Sequence, residues 1–262
     1  MSEKLAVVVP AYNEAKTVQD TVEAIARDQT TLPDALIVVD NNSTDATAEI
    51  VEDLQLKYPL LHLISEEEKG TGVACRTGFR YAIDEVGATI IARTDADTIP
   101  RPTWSRAIVR YFANHPNKVS AAGISTYRKD EFFIPQYYLT PFGTLAYRGI
   151  NSVRRRSFWP LLATFGHNMA VRSEAYEVAG GFAPTKIEEQ DEDIELFQKI
   201  YQEHGVKGTG FNPRMIVASS QRRRYVLGSN IADYYDNLKP GLTPAQRAER
   251  RIAISRGNID IR

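Results

Sequence analysis

The stretch Thr94-Asp95-Ala96-Asp97-Thr98 puts two carboxylates at i, i+2 directly behind the apolar run Ile90-Ile91-Ala92. Hard oxygen ligands in that spacing suit a divalent cation that keeps positions open for phosphate oxygens. An acidic loop capping the next helix would use the same residues, and Asp-x-Asp alone is common. Its company favours the metal reading. Tyr12 and Glu14 follow the apolar run Leu5 to Val9, and Asp40 and Asn41 follow Leu36 to Val39. Three strands would thus deliver polar groups to one sheet edge, where ligands bind in open α/β sheets. A second acidic run, Glu188-Glu189-Gln190-Asp191-Glu192-Asp193, precedes a helix. Carboxylates at a helix start also stabilise its dipole, which accounts well for Glu188 and Glu189.

Other chemistries lack their signatures. No Gly-x-Gly-x-x-Gly follows the first strand, no Gly-Lys-Ser/Thr phosphate loop is present, and no Gly-x-Ser-x-Gly elbow appears. The single Cys75 excludes an internal disulfide framework and reads as a core thiol inside a helix. His62 and His115 read as structural or solvated. With a net charge of −1, no overall field recruits nucleic acid.

The elements that must position these groups follow from periodicity. Apolar runs at 5–9, 36–39, 60–64 and 88–92 read as buried strands. Between them, Val18, Val22 and Ile25, then Ile50, Val51 and Leu54, then Phe79, Ile83 and Val86 mark helix faces. Ser43 or Thr44 is the expected N-cap of the second helix, and Lys69-Gly70-Thr71-Gly72 opens the third. Strands alternating with helices predict βαβ units, right-handed crossovers and a mostly parallel sheet. Further on, Trp104, Ile108 and Phe112 share a helix face, and Val119 to Ser125 fits a strand. Residues 127–160 are rich in aromatics and arginines that would line a binding surface or pack over a sheet edge. Gly166-His167-Asn168 and Gly180-Gly181-Phe182 are tight backbone positions flanking a helix from Arg172 to Val178. Ile194, Phe197 and Tyr201 form one face of the next helix, ended by His204-Gly205. Met1-Ser2-Glu3-Lys4 leads straight into a strand, and the apolar stretch Phe158 to Val171 is interrupted by Pro160, Gly166, His167 and Asn168. Neither a leader nor a bilayer span is therefore expected, and the cytoplasm is the expected compartment.

Taken in order, these motifs resemble the family-two glycosyltransferases of the GT-A fold. The resemblance rests on Val7-Val8-Val9-Pro10-Ala11-Tyr12-Asn13-Glu14, Val38-Val39-Asp40-Asn41-Asn42-Ser43-Thr44-Asp45, Lys69 to Gly78 and Thr94-Asp95-Ala96-Asp97. It continues through Gly166-His167-Asn168-Met169-Ala170-Val171-Arg172, Gly180-Gly181-Phe182 and Glu192-Asp193-Ile194-Glu195-Leu196, and so spans residues 4 to about 225. It implies a Rossmann-like α/β fold: a mostly parallel central sheet flanked by helices, in a single domain with an acceptor-side subregion. The expected organisation is 1–100 for the nucleotide sugar, 101–220 for acceptor binding and catalysis, and 221–262 as a basic tail.

The roles it implies are specific. Pro10, Ala11, Tyr12 and Glu14 frame the nucleoside, with Tyr12 against the base. Asp40 and Asn41 hydrogen-bond base and ribose; many relatives carry Asp at the position of Asn41, which leaves the base open. Arg76 reaches base or diphosphate. Asp95 contacts ribose or metal, and Asp97 ligates Mn²⁺ or Mg²⁺. His167, Asn168 and Glu192 touch donor sugar or acceptor. Asp193 is the expected catalytic base, with Asp191 as runner-up.

The implied reaction is inverting, metal-dependent transfer of one sugar from a nucleotide-diphosphate sugar, UDP-type favoured, to a hydroxyl of a glycan or lipid-linked acceptor. Gln221-Arg222-Arg223-Arg224-Tyr225 loosely resembles the Gln-x-x-Arg-Trp segment of processive members. Processive synthases carry membrane helices, so single transfer is preferred. The basic tail, with Arg247, Arg250 and Arg251, would close as a lid or lean on the inner face of a membrane. No nucleic acid partner is expected, and a homodimer is left open. The alternatives are a sugar-1-phosphate nucleotidyltransferase, which would need a Gly- and Arg-rich loop after the first strand, and a non-catalytic nucleotide-sugar-binding protein.

Overall fold

The computed structural model describes residues 3–128, 166–183 and 192–220. Most of the aromatic segment, Asp191 and the basic tail from Gln221 lie outside the described residues. Strands β1 (Leu5–Ala11), β2 (Ala35–Asp40), β3 (Leu61–Ser65) and β4 (Ile90–Arg93) alternate with helices α1 (Val18–Ala26), α2 (Thr47–Gln55) and α3 (Thr71–Asp84). Then come β5 (Thr98–Pro100), α4 (Trp104–Asn114), β6 (Ser120–Tyr127), β7 (Met169–Arg172), α5 (Ser173–Val178), α6 (Glu192–Gly208) and β8 (Thr209–Ser219). Among the described residues the strands form an eight-stranded sheet of order β3-β2-β1-β4-β7-β6-β8-β5. The expected α/β fold with a central sheet flanked by helices is present.

The sheet changes character at its middle. β3, β2, β1 and β4 are parallel, with Val8 opposite both Ile37 and Arg93. β7 then pairs antiparallel with β4 and with β6, β8 runs parallel to β6, and β5 is antiparallel to β8. Alternation of side chains along β1 divides the core. Leu5, Val7 and Val9 pack with Val18, Val22, Val51, Trp104, Ile108 and Phe112 of α1, α2 and α4. Ala6 and Val8 face Phe79, Tyr176, Leu196 and Ile200 of α3, α5 and α6. Cys75 is buried on that second face, as expected of a core thiol. Gly78 brings α3 close to the sheet, because a Cβ there would lie 2.5 Å from Val8 Cγ1.

Several local expectations change. The N-terminus of α2 is held by Asp45 rather than Ser43 or Thr44: its Oδ1 accepts from the Thr47 N–H (3.0 Å). Ser43 and Thr44 are diverted to the β1–α1 loop, as described below. The helix α6 bends at Gly205 (φ 57°, ψ −161°), so glycine ends the first helical run where expected but the segment continues to Gly208. Gly180 and Gly181 adopt φ +76° and +70°, the left-handed region glycine favours.

β5, β7 and β8 had no clear sequence signal. β5 is three residues ending in Pro100 at the sheet edge, where proline is tolerated. β8 carries a bulge: Ala122 pairs with Phe211 but Ile124 with Ile216. The interrupting Asn212-Pro213-Arg214 hides a strand from any reading by alternation.

Candidate active site

A cleft opens at the carboxyl ends of β1, β2 and β4. Pro10, Ala11, Tyr12, Glu14, Asn41, Asp95, Asp97, His167, Glu192 and Asp193 line it, so ten of the expected residues converge from both halves. Gly166, Arg93, Thr71 and Ala74 of α3, and Ser219 and Ser220 also line it. Asp40, Arg76 and Asn168 do not.

The first wall is built by loop-to-loop hydrogen bonds. Asn13 and Asn42 take φ 55° and 59°, a conformation asparagine tolerates better than most residues. The Asn13 N–H donates to Ser43 Oγ (3.0 Å), and the Thr44 N–H to Asn13 Oδ1 (2.8 Å). Glu14 N–H donates to Thr47 Oγ1 (2.8 Å) and Ala15 N–H to Asp45 Oδ2 (3.2 Å). The Asp45 carboxyl is held below the usual range: burial opposes this, but the Thr47 hydroxyl and the Ala15 and Thr47 N–H groups prevail. The residues framing the cleft therefore sit on a stitched pair of loops.

Asn41 is committed inward. Its Nδ2 donates to Glu66 O (3.2 Å) and Glu68 O (2.7 Å), and its Oδ1 accepts from Gly70 N–H (2.8 Å). A carboxylate there would face two carbonyls, which explains why this chain carries the amide: the side chain clamps the loop that starts α3. Asp40 is buried, with Oδ2 accepting from Ser43 N–H (3.3 Å) and Oδ1 lacking a partner. Lys69 Nζ donates to the Tyr12 hydroxyl (3.1 Å) and lies 4.8 Å from its ring centroid. Arg76 is half-buried on α3, whose Thr71 and Ala74 reach the cleft instead.

Behind β4, a turn closed by Thr98 N–H to Asp95 O (3.1 Å) presents the paired carboxylates. The Asp95 side chain is 39% exposed and 3.5 Å from Arg93, and the Thr98 hydroxyl lies 3.4 Å from Asp97 Oδ1. Among the described residues no group of three or more His, Cys, Asp or Glu gathers to hold a metal. Two carboxylates facing a cleft do fit Mg²⁺ or Mn²⁺, ions that keep waters and take further oxygens from bound phosphates.

Asn168 has a different place from the one expected. It is buried, accepts from Trp104 Nε1 (2.9 Å), and donates to Ile124 O (2.9 Å) and Met215 O (3.1 Å). It satisfies carbonyls opened by the β6–β8 bulge, and Gly123 makes the room: a Cβ there would lie 2.4 Å from the Asn168 amide nitrogen. The amide is spent on the fold, so it is not a sugar contact. His167 does face the cleft, with Nε2 2.6 Å from Ser125 Oγ and its carbonyl accepting from Thr94 Oγ1 (3.0 Å).

The floor is a buried charge cluster. Arg93, only 4% exposed, donates from NH1 to Glu192 Oε1 (3.0 Å), and NH2 approaches Asp95. Asp193 Oδ2 accepts from Gly166 N–H (2.6 Å) and Oδ1 from Ile194 N–H (2.8 Å). Burial first, then the neighbouring Glu192 charge, pushes the Asp193 carboxyl up to about 7; Arg93 and the two N–H donors pull the other way. A half-buried carboxyl near neutrality suits a general base. Asp191, the runner-up, lies outside the described residues. Arg93 itself escaped the sequence reading, although an arginine closing an apolar strand was a visible signal, since a buried charge needs partners.

Known proteins resemble this chain in sequence and in fold. The model of glycosyl transferase family 2 matches residues 6–180. Glycosyltransferase AglE of Haloferax volcanii is 34% identical over 104 residues, covering 38% of this chain and 32% of that protein. The chain spans 32% to 56% of the length of the first three curated relatives it matches. A mannosyltransferase from Pyrobaculum calidifontis, solved with GDP-Man and Mn²⁺, superposes with TM-score 0.60 at 20% identity, covering 97% of this chain and 70% of that one. Glucosyl-3-phosphoglycerate synthase from Mycobacterium tuberculosis, solved with Mn²⁺, UDP-glucose and phosphoglyceric acid, gives 0.61 at 19% identity, covering 97% and 78%. Both share the GT-A architecture.

Proposed function

Because the chain belongs to glycosyl transferase family 2, we propose that it transfers a single sugar, with inversion, from a nucleotide-diphosphate sugar to an acceptor hydroxyl. The observation that carries this reading is Asp193, a carboxyl near neutrality in the same cleft as the Asp95–Asp97 pair. Residues 1–100 act as the donor side and 101–220 as the acceptor and catalytic side. Pro10, Ala11, Tyr12 and Glu14 frame the nucleoside on the stitched loops. UDP sugars are the favoured donors and GDP sugars the competitor, the nucleotide sugars bound by the similar solved structures.

Asp97 and Asp95 would hold Mn²⁺ or Mg²⁺, which when bound supplies Lewis-acid neutralisation of the diphosphate. Asp193 accepts the acceptor hydroxyl proton as that oxygen attacks the anomeric carbon, opposite the bond to the departing nucleotide. Glu192 and His167 present polar atoms to donor sugar or acceptor from the same side. The acceptor is a glycan or a lipid-linked carrier, in line with the family. Among the described residues no helix is long and apolar enough to cross a membrane.

A panel of UDP-, GDP-, CDP- and dTDP-sugars, with and without Mn²⁺, tests this. A specific donor stabilises the fold as RT ln(1 + [L]/Kd), roughly 2.7 kcal/mol at a hundred times Kd. Metal-dependent stabilisation by one donor, with nucleoside diphosphate released when acceptor is added, is the expected result. No shift with any donor would overturn it.

A further inference from the structure

Four separated stretches of the chain meet at Arg93. Its NH1 donates to Glu192 Oε1 (3.0 Å) at the start of α6, and NH2 lies 3.5 Å from Asp95 Oδ1. Phe182, behind the paired glycines 180 and 181, places its ring centroid 5.8 Å from Arg93 Cζ. Gly166 lies directly against the guanidinium: a Cβ there would fall 2.5 Å from Cζ. The same Gly166 donates its N–H to Asp193 Oδ2. Arg93 is the last residue of β4, a strand flanked by β1 and β7 in the middle of the sheet, and is almost wholly removed from solvent.

This arrangement is costly unless it serves something. A buried ion pair is weak evidence for stability, because apolar residues of similar volume often do as well. The network is also incomplete, since Arg93 Nε and Glu192 Oε2 are buried without partners. What a planar guanidinium supplies is direction: its N–H vectors point at two carboxylates from one rigid plane, where a lysine ammonium is a rotatable point charge on a flexible stem. One carboxylate belongs to the pair after β4, and the other neighbours Asp193.

We propose that Arg93 is a positioning residue that holds the metal-side Asp95 and the start of α6 in one register, so that Asp193 faces the bound donor. The catalytic part rests on the glycosyltransferase reading; the geometric part does not. Gly166 completes the device. With no side chain, it lets the guanidinium sit beneath its backbone while its N–H orients Asp193. Arg93 therefore acts on Asp193 through Gly166 and Glu192 and touches no reacting atom.

The test compares the intact protein with Arg93→Lys, Arg93→Met and the paired Arg93→Met/Glu192→Gln. Met alone leaves the Glu192 charge buried and threatens folding; the paired change removes both charges and restores the melting temperature. In transfer assays, misplacement of this kind costs about 10²-fold in kcat. That loss is expected in the paired variant, with donor KM within about threefold and Lys recovering part of kcat. A paired variant with unchanged kcat, or a loss confined to KM, would overturn the proposal. A second readout needs no substrate. Hydrogen exchange at the Gly166 amide reports its bond to Asp193, and it is expected to speed up at least ~10-fold in Arg93→Lys, a loosening of one local hydrogen bond. Unchanged exchange there also overturns it. If the unaltered protein neither binds nor transfers any donor, the glycosyltransferase reading fails while the exchange result still decides whether Arg93 holds the geometry.

Discussion

The half from β1 to the turn after β4, which we propose binds the donor, and the half from α4 to β8, which we propose is catalytic, hold their polar groups by different means. On the donor side each group follows a parallel strand, and neighbouring loops fix one another through Asn13, Ser43, Thr44, Asp45 and Thr47. These bonds join neighbouring crossovers of the parallel sheet. On the other side the strands are mostly antiparallel, and the groups are held by partners on other elements across the sheet: Glu192 with Arg93 of β4, Asp193 with Gly166, and Asn168 with Trp104. Binding can tolerate a rim of independent contacts. Proton transfer needs one carboxyl in one place, and here a buried network supplies that constraint.

The comparison breaks most sharply at Asp193. Asp193→Asn keeps the size and one acceptor oxygen, enough for one of the Gly166 and Ile194 N–H groups, and removes basicity. Transfer should fall by ~10²–10⁴-fold, with melting within a few degrees and metal-dependent donor binding intact. Steady-state kinetics beside calorimetry would show it, and activity within about tenfold of normal would hand the base role to Asp191.

Two glycines place the same small change on either side. Gly166→Ala pushes a methyl into the Arg93 guanidinium and should cost about 10²-fold in kcat through misplacement. Gly78→Ala drives a methyl into Val8 and Val39 in the donor-side core. Overpacking of that kind costs about 1–3 kcal/mol of stability with kcat little changed. Denaturant melts and kinetics on both variants check the contrast; matched effects would erase it.

Asp97→Asn tests the donor edge itself. Nucleotide binding in Mn²⁺ should weaken at least ~10-fold, the scale on which metal sites respond to loss of a supporting group. Titration calorimetry should then give the same weak affinity with EDTA as with metal.

The mildest effect is in pH. With the Asp193 carboxyl at about 7, the active carboxylate is lost below neutrality, so kcat should rise through pH 7 and fall about tenfold per unit below it. Stability has the opposite sign. Asp193 is protonated in the fold while the unfolded carboxyl, near 3.9, is ionised, so its contribution is full below about pH 4 and declines as pH rises through 7. Donor binding should follow neither trend. A pH–rate profile and melts over the same range separate the two sides.

The donor half was legible because its information is local. Apolar runs at 5–9 and 36–39, helix faces three and four residues apart, and polar residues at each strand end fix where Tyr12, Glu14, Asp95 and Asp97 must arrive. A parallel sheet admits one edge for all of them. Even there, only the folded chain showed that Asn41 clamps the Glu66–Gly70 loop and that Ser43 and Thr44 hold Asn13 instead of capping α2.

On the catalytic side the sequence determined residue types and motif order, and with them the family and the fold. The tertiary structure decided which groups touch. The family resemblance implied a sugar contact for Asn168; the carbonyls of Ile124 in β6 and Met215 in β8, 44 and 47 residues away at the β6–β8 bulge, claimed its amide. Arg93 drew no reading from the sequence, yet it gathers residues from up to 99 positions along the chain. Periodicity reports the side of a strand or helix on which a residue lies. It carries no record of a partner brought in by chain closure, and a buried charge is explained only by the partners that closure brings.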